Sequence, residues 1–167
     1  ADLEVPRGTP GEQCMRGYNV MLGYWNDEEA TRNSVDAAGW MHSGDLAVMD
    51  DEDYVQIIGR LKDVIIRGGE NICPREIEEC LHALPAISQA QIIGVPNQKY
   101  GEEVMAWVRL RDNRTVTEAE LVAHCRTHLA HFKTPRYWKF VDSFPMTITG
   151  KVQKYRMREI AAEELGI

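Results

Sequence analysis

The stretch Gly59-Arg60-Leu61-Lys62-Asp63-Val64-Ile65-Ile66-Arg67-Gly68-Gly69-Glu70-Asn71-Ile72-Cys73-Pro74-Arg75-Glu76-Ile77-Glu78 decides how the chain is read. Charged Arg60, Lys62 and Asp63 stand directly before an apolar run, Val64 to Ile66, which breaks at Gly68-Gly69 and gives way to a helix at Pro74. A strand is expected to feed a glycine turn and then a helix start. Proline suits the first helical position, where its missing N–H would have no intrahelical partner, and Ile77, Leu81 and Leu84 form one apolar stripe that Pro85 ends. Paired glycines accept positive φ and let another molecule approach the main chain closely. Gly68 and Gly69 are therefore candidate ligand contacts, with a tight turn and no ligand as the plainer alternative.

Downstream, residues 89–95 and 104–110 read as two strands, the second alternating Val104, Ala106, Val108 and Leu110 against Met105 and Trp107. A loop from Pro96 to Glu103, centred on Gly101, is expected between them. Thr117-Glu118-Ala119-Glu120 is a capping box, so a helix should start there and run to about Ala130. Pro135 and a third strand, residues 137–141, come next. After a Thr147 to Lys151 loop, a last helix turns Met157, Ile160, Ala161 and Leu165 inward. The chain from about Asp63 onward is thus an α+β unit, a small three-stranded sheet covered by helices.

Upstream the chain reads as a short, mainly β segment. Residues 13–15 and 19–22 are expected to be extended, and a short helix starts with Asn26 or Asp27 as N-cap and stops before Gly39. A hairpin follows, residues 46–49 and 54–58 around the acidic turn Asp50-Asp51-Glu52-Asp53. It sets Asp45 and Arg60 on opposite strands at its open end.

The 167 residues carry a formal net charge of −7 and are 44% hydrophobic, enough apolar material for a packed core. The acidic balance argues against broad nucleic-acid or anionic-membrane binding, while a local basic patch remains able to hold a phosphorylated ligand. No apolar run approaches the roughly 20 residues of a membrane-spanning helix. Cys14, Cys73, Cys80 and Cys125 show no Cys-x-x-Cys spacing and read as buried free thiols of a cytoplasmic protein. Trp25, Trp40, Trp107 and Trp138 read as core or interdomain packing. His124 and His128 stand at i and i+4 on the capped helix, which raises a metal site. No acidic or thiol partner is spaced along the sequence to complete its shell, so no metal is expected.

Two further strings accompany the opening one: Gly39-Trp40-Met41-His42-Ser43-Gly44-Asp45 and Phe144-Pro145-Met146-Thr147-Ile148-Thr149-Gly150-Lys151. In this order the three resemble the adenylate-forming enzymes, specifically acyl-CoA synthetases of the fatty-acid-CoA ligase type. The resemblance covers nearly the whole chain and implies that residues 1–60 are the tail of a large N-terminal adenylation domain and residues 61–167 its mobile C-terminal lid. It also implies that the glycine- and threonine-rich phosphate loop and the acyl pocket lie elsewhere in a longer enzyme, so that this portion alone is inactive. The implied reaction has two steps. A carboxylic acid, first choice a fatty acid, reacts with ATP to an acyl-adenylate, and coenzyme A then displaces AMP.

By the same resemblance Lys151 is catalytic, bridging the attacking carboxylate and the α-phosphate; on residues alone it is a lysine on a flexible loop, and the phosphate-loop pattern fails because Pro145 and Val152 occupy its outer positions. Asp45 matches the ribose-binding position, a role for which a carboxylate, a pure acceptor, is suited. Ile57 and Arg60 match positions that line the same nucleotide. Lys62 matches the hinge, and Gly68 and Gly69 the place where the pantetheine arm of coenzyme A passes. Mg²⁺ is held mainly by the N-terminal part. Implied partners are the carboxylic acid, ATP, coenzyme A and that N-terminal domain. Ser43 stands where threonine is commoner, and Ile66 where many members carry lysine, with Arg67 the nearest base. The alternatives are an adenylation domain that loads a carrier protein, an aryl-acid CoA ligase, and, in another class, a non-catalytic binding module with the lid fold. Asn71-Ile72-Cys73-Pro74 favours coenzyme A over a carrier protein as acceptor.

Overall fold

Alternating apolar residues on two long strands require a sheet buried on both faces, and the computed structural model, which describes residues 4–167, has that sheet. The chain divides into two compact units, the first running to Lys62 and the second Asp63–Ile167.

In the second unit β4 (Ile65–Arg67), β5 (Glu70–Ile72), β6 (Ile87–Asn97), β7 (Gly101–Leu110) and β8 (Tyr137–Phe140) form a five-stranded sheet. The order is β5-β4-β7-β6, with β8 pairing β7 in parallel and the other neighbours antiparallel. Val104, Ala106 and Val108 face one way with Ala90 and Ile92, under α2 (Pro74–His82) and α3 (Glu118–His128), where they meet Ile77, Leu81, Leu121 and Cys125. Met105 and Trp107 face the other way with Ile93 and Val95, under Met157 and Ala161 of α4 (Lys154–Leu165). Pro74 is the first residue of α2, and the capping box of α3 is complete: Thr117 Oγ1 accepts from Glu120 N–H at 3.3 Å while Glu120 Oε2 accepts from Thr117 N–H at 2.7 Å.

The α+β class holds, with three corrections of detail. The sheet has five strands because Ile65–Arg67 joins it beside β7 and Glu70–Ile72 is itself extended, so Gly68-Gly69 turns a hairpin instead of leading straight into a helix. The loop expected over 96–103 shrinks to residues 98–100, because β6 and β7 remain paired as far as Asn97 and Gly101. Asn97 Oδ1 tightens that turn, accepting from the N–H groups of Lys99 and Tyr100 at 3.0 Å each. The third helix ends at His128.

In the first unit β1 (Gly11–Met15), β2 (Met41–Met49) and β3 (Val55–Arg60) form an antiparallel sheet in sequence order, and α1 (Glu28–Ser34) is capped by Asp27, whose Oδ1 accepts from Ala30 N–H at 2.8 Å. Asp50 closes the β2–β3 turn by accepting from the N–H groups of Glu52 and Tyr54 at 2.9 Å each. Residues 19–22 are not a strand; they form turns and bends. Trp107 is in the core, whereas Trp25 is 91% exposed, contrary to a core reading. All four cysteines are free, and of them only Cys125 is fully buried. Among the described residues no helix is long and apolar enough to cross a membrane.

Candidate functional site

The first group of functional side chains is built on the β2–β3 ladder. Asp45 and Arg60 are register partners, and they form an ion pair with Arg60 Nε 2.9 Å from Asp45 Oδ1. Gly44, at φ 71, lets the strand bend just before Asp45, and its N–H donates to Glu12 Oε1 at 3.0 Å. Ser43 Oγ donates to the Gln13 carbonyl at 2.7 Å and accepts from Asp45 N–H at 3.0 Å, so the hydroxyl ties β1, β2 and the Asp45 backbone together. A threonine would supply the same hydroxyl. Ladder pairs share a face, and so do residues two apart on a strand. The pairs Asp45↔Arg60 and Ala47↔Ile57 therefore put Ile57 on the face of Asp45 and Arg60, the bulge at Ile58 offsetting the odd spacing between 57 and 60. The structure thus brings the three expected nucleotide residues together.

The Asp45–Arg60 pair keeps capacity for a ligand. A carboxylate has about four acceptor positions, and one contact to Arg60 occupies a single one. The Arg60 side chain is 56% exposed, so most of its guanidinium faces outward. Glu12, absent from the sequence reading, is a supporting residue: besides Gly44 it holds His42, whose Nδ1 lies 2.8 Å from Glu12 Oε2. An acidic residue on an otherwise half-buried strand was the available signal.

Lys62 is the last residue of the first unit and lies in the one-turn 3₁₀ helix Leu61–Asp63, solvent-exposed.

The second group is on the second unit. Gly68 and Gly69 are the two turn residues of the β4–β5 hairpin, at φ 60 and 90, a combination that suits the twist of a two-residue hairpin and excludes most side chains. Gly68 N–H donates to the Tyr100 carbonyl at 2.8 Å, and a side chain at Gly68 would press on the Tyr100 ring at 3.2 Å. Gly69 has no atom within 4 Å of where a Cβ would stand, so its outer side is open.

Arg67, one step before the turn, is fully engaged. Its guanidinium pairs with buried Glu103 through Nε and, at 3.1 Å, through Nη2, and it lies 4.4 Å from the centre of the Tyr100 ring. The Glu103 hydrogen bond raises the arginine's pKa above its usual value, so its charge is permanent. Arg67 therefore braces the turn. Tyr100 and Glu103 were missed from sequence because the loop was drawn across them. Ile66 is 56% exposed and donates its N–H to Glu102 Oε2 at 2.7 Å.

Lys151 ends a tight loop. Its carbonyl accepts from Thr147 N–H at 2.8 Å, its N–H donates to Thr147 Oγ1 at 3.0 Å, and Gly150 makes the corner at φ 79. The side chain is exposed, and among the described residues its ammonium has no ion-pair partner. A backbone fixed at both ends carries a mobile point charge.

Cys80 of α2 reaches His124 and His128 of α3, with one ligand atom from each within 4.8 Å of the others, so the thiol missing along the sequence is supplied by the fold. Glu12, Cys14 and His42 form a second such group.

Residues 76–151 match the model of the AMP-binding enzyme C-terminal domain. The chain is 53% identical over 160 residues to YngI of Bacillus subtilis, named provisionally as an acyl-CoA synthetase, covering 96% of this chain and 29% of that protein. It is 49% identical over 163 residues to the mitochondrial medium-chain acyl-CoA ligase ACSF2 of Danio rerio, covering 98% of this chain and 27% of that one. The ATP-bound crystal structure of MatB from Rhodopseudomonas palustris superposes with a TM-score of 0.89 at 38% identity, over 96% of this chain and 32% of that one. The chain thus spans less than a third of the length of these relatives.

Proposed function

This chain belongs to the adenylate-forming enzymes and carries their C-terminal domain, and from that premise we propose that it serves an ATP-dependent acyl-CoA synthetase as the tail of the adenylation domain and the lid that follows it. Asp45 accepts from the ribose hydroxyls, Arg60 donates to ribose or phosphate oxygens, and Ile57 gives the nucleotide an apolar wall on the same strand face. Lys151 brings its ammonium to the carboxylate and α-phosphate as negative charge gathers between them, which lowers the barrier to acyl-adenylate formation. The second unit then turns about Lys62, and the open side of Gly69 lets the pantetheine arm of coenzyme A reach the adenylate.

The observation that carries this reading is the state of Lys151: an exposed ammonium with no ion-pair partner among the described residues, on a loop fixed by two Thr147 hydrogen bonds of 2.8 and 3.0 Å. Charges meant only for solubility need no such mounting. Mg²⁺ takes oxygen ligands, whereas the two donor clusters found among the described residues contain sulfur and imidazole. These residues do not fit Mg²⁺.

Coenzyme A is the favoured acceptor and a fatty acid the favoured substrate, the latter supported by the name of the Danio rerio relative. Four free thiols suit a reducing compartment such as the cytoplasm. The test is ATP-dependent thioester formation across a panel of fatty and aryl acids by a full-length enzyme containing this chain. Turnover of medium-chain acids supports the reading, and transfer to a carrier protein with none to coenzyme A overturns it. The 167-residue chain alone should make no thioester.

A further inference from the structure

We propose that Cys80, His124 and His128 form a zinc-binding clamp between α2 and α3, with a water molecule completing the shell. Their ligand atoms lie within 4.8 Å of one another. Ligands of a tetrahedral Zn²⁺ stand about 3.5 Å apart, as bond lengths of about 2.3 Å to sulfur and 2.0 Å to nitrogen require. Closing the site therefore draws the donor atoms together by about an ångström, with the imidazole rings turned so that their free nitrogens face the sulfur.

The hydrogen bonds already fix the chemistry of both rings. His124 Nε2 lies 2.9 Å from the Cys80 carbonyl, and His128 Nδ1 lies 2.8 Å from the His124 carbonyl. A carbonyl only accepts, so each of these nitrogens carries its proton, and the lone pairs are left on His124 Nδ1 and His128 Nε2. Imidazoles that ligate zinc are commonly oriented this way, with the second nitrogen donating to a backbone carbonyl. The two rings lie on one helix face with centroids 4.3 Å apart, tilted 36° to one another, the i, i+4 arrangement that suits chelation. Cys80 and His124 are partly buried and His128 is exposed, which gives the ion a route in and leaves a corner for water.

The donor set selects the ion. One thiolate and two imidazoles suit Zn²⁺ over Mg²⁺ or Ca²⁺. The cluster of Glu12, Cys14 and His42 makes a weaker case, because a single nitrogen, His42 Nδ1, already faces both Glu12 Oε2 at 2.8 Å and Cys14 Sγ at 3.5 Å. Bound zinc would fasten the two helices that cover one face of the sheet without touching the residues assigned to the reaction.

The experiment titrates the 167-residue chain with Zn²⁺ against a chromophoric chelator and repeats the titration with Co²⁺, whose near-ultraviolet charge-transfer band reports a sulfur ligand. One Zn²⁺ per chain is expected, with a sulfur band for Co²⁺ and a zinc-dependent rise in Tm. Cys80→Ser and His128→Ala should each weaken Zn²⁺ binding at least tenfold, since even loss of a supporting contact lowers metal affinity by about 10–100-fold. His128 is exposed, so its replacement leaves the core intact; circular dichroism verifies the fold. His42→Ala should leave the affinity within about twofold. Absence of the sulfur band, Zn²⁺ binding that survives both Cys80→Ser and His128→Ala, or binding lost only in His42→Ala would each overturn the proposal.

Discussion

Arg60 Nε and Asp45 Oδ1 form an ion pair, 2.9 Å apart, across a shared register position of the β2–β3 hairpin. With the arginine side chain 56% exposed, the pair contributes at most about 1 kcal/mol to folding. Its place matters more for what it holds ready. In a full-length enzyme Asp45→Ala should remove charge-assisted hydrogen bonds to ribose worth roughly 1.5–3 kcal/mol, weakening ATP about tenfold or more with little change in Tm. Calorimetric titration with ATP checks this; unchanged ATP affinity with a weakened acid would contradict the ribose assignment.

Glu103 is 1% exposed and meets Arg67 on two atoms, with Arg136 Nη1 at 3.8 Å. Glu103→Ala leaves the Arg67 charge without its carboxylate in a partly buried position. Breaking such a pair costs about 3–5 kcal/mol when it is fully buried; because Arg67 retains some solvent, about 2–4 kcal/mol is expected here, read as a shift of the urea midpoint.

The α3 cap gives a prediction in acid. Hydrogen bonds from the Thr117 backbone and hydroxyl hold the Glu120 carboxyl below its ordinary value. A depressed carboxyl pKa stabilises the fold above the unfolded value, and that contribution is lost as pH falls through the folded one. The cap's contribution should therefore be complete above about pH 4.5 and fade below it. Thr117→Ala should cost about 1 kcal/mol at neutral pH. Glu120→Ala should flatten the acid limb, and urea unfolding at pH 7 and pH 3 compares the two.

Much of this was legible from residues alone. Alternation in 104–108 assigned each side chain of β7 to its face, and the acidic turn fixed the hairpin register that joins Asp45 to Arg60. Two kinds of feature were not. Glu70–Ile72 has only three residues, too few for a period, so the sequence shows a glycine turn before a helix and hides the hairpin. Glu103 falls at the end of the loop that the sequence centres on Gly101, and only its pairing with Val95 carries it into the sheet. Cys80 and His124 are 44 positions apart, and their meeting depends on two helices packing on the same sheet face.

The central claim is that one lid serves two half-reactions with two different surfaces. In a full-length enzyme Lys151→Ala should slow adenylation, measured by pyrophosphate exchange, by about 10²–10³-fold, as for loss of one transition-state donor. Given ready-made acyl-adenylate, the same variant should form thioester at nearly the normal rate. Gly69 stands at φ 90, so any replacement is strained; Gly69→Ala and Gly69→Leu share that strain and differ in bulk. Gly69→Leu should retain pyrophosphate exchange and lose thioester formation, with Gly69→Ala between it and the parent. Equal loss of both half-reactions in Lys151→Ala and in folded Gly69→Leu would contradict the account.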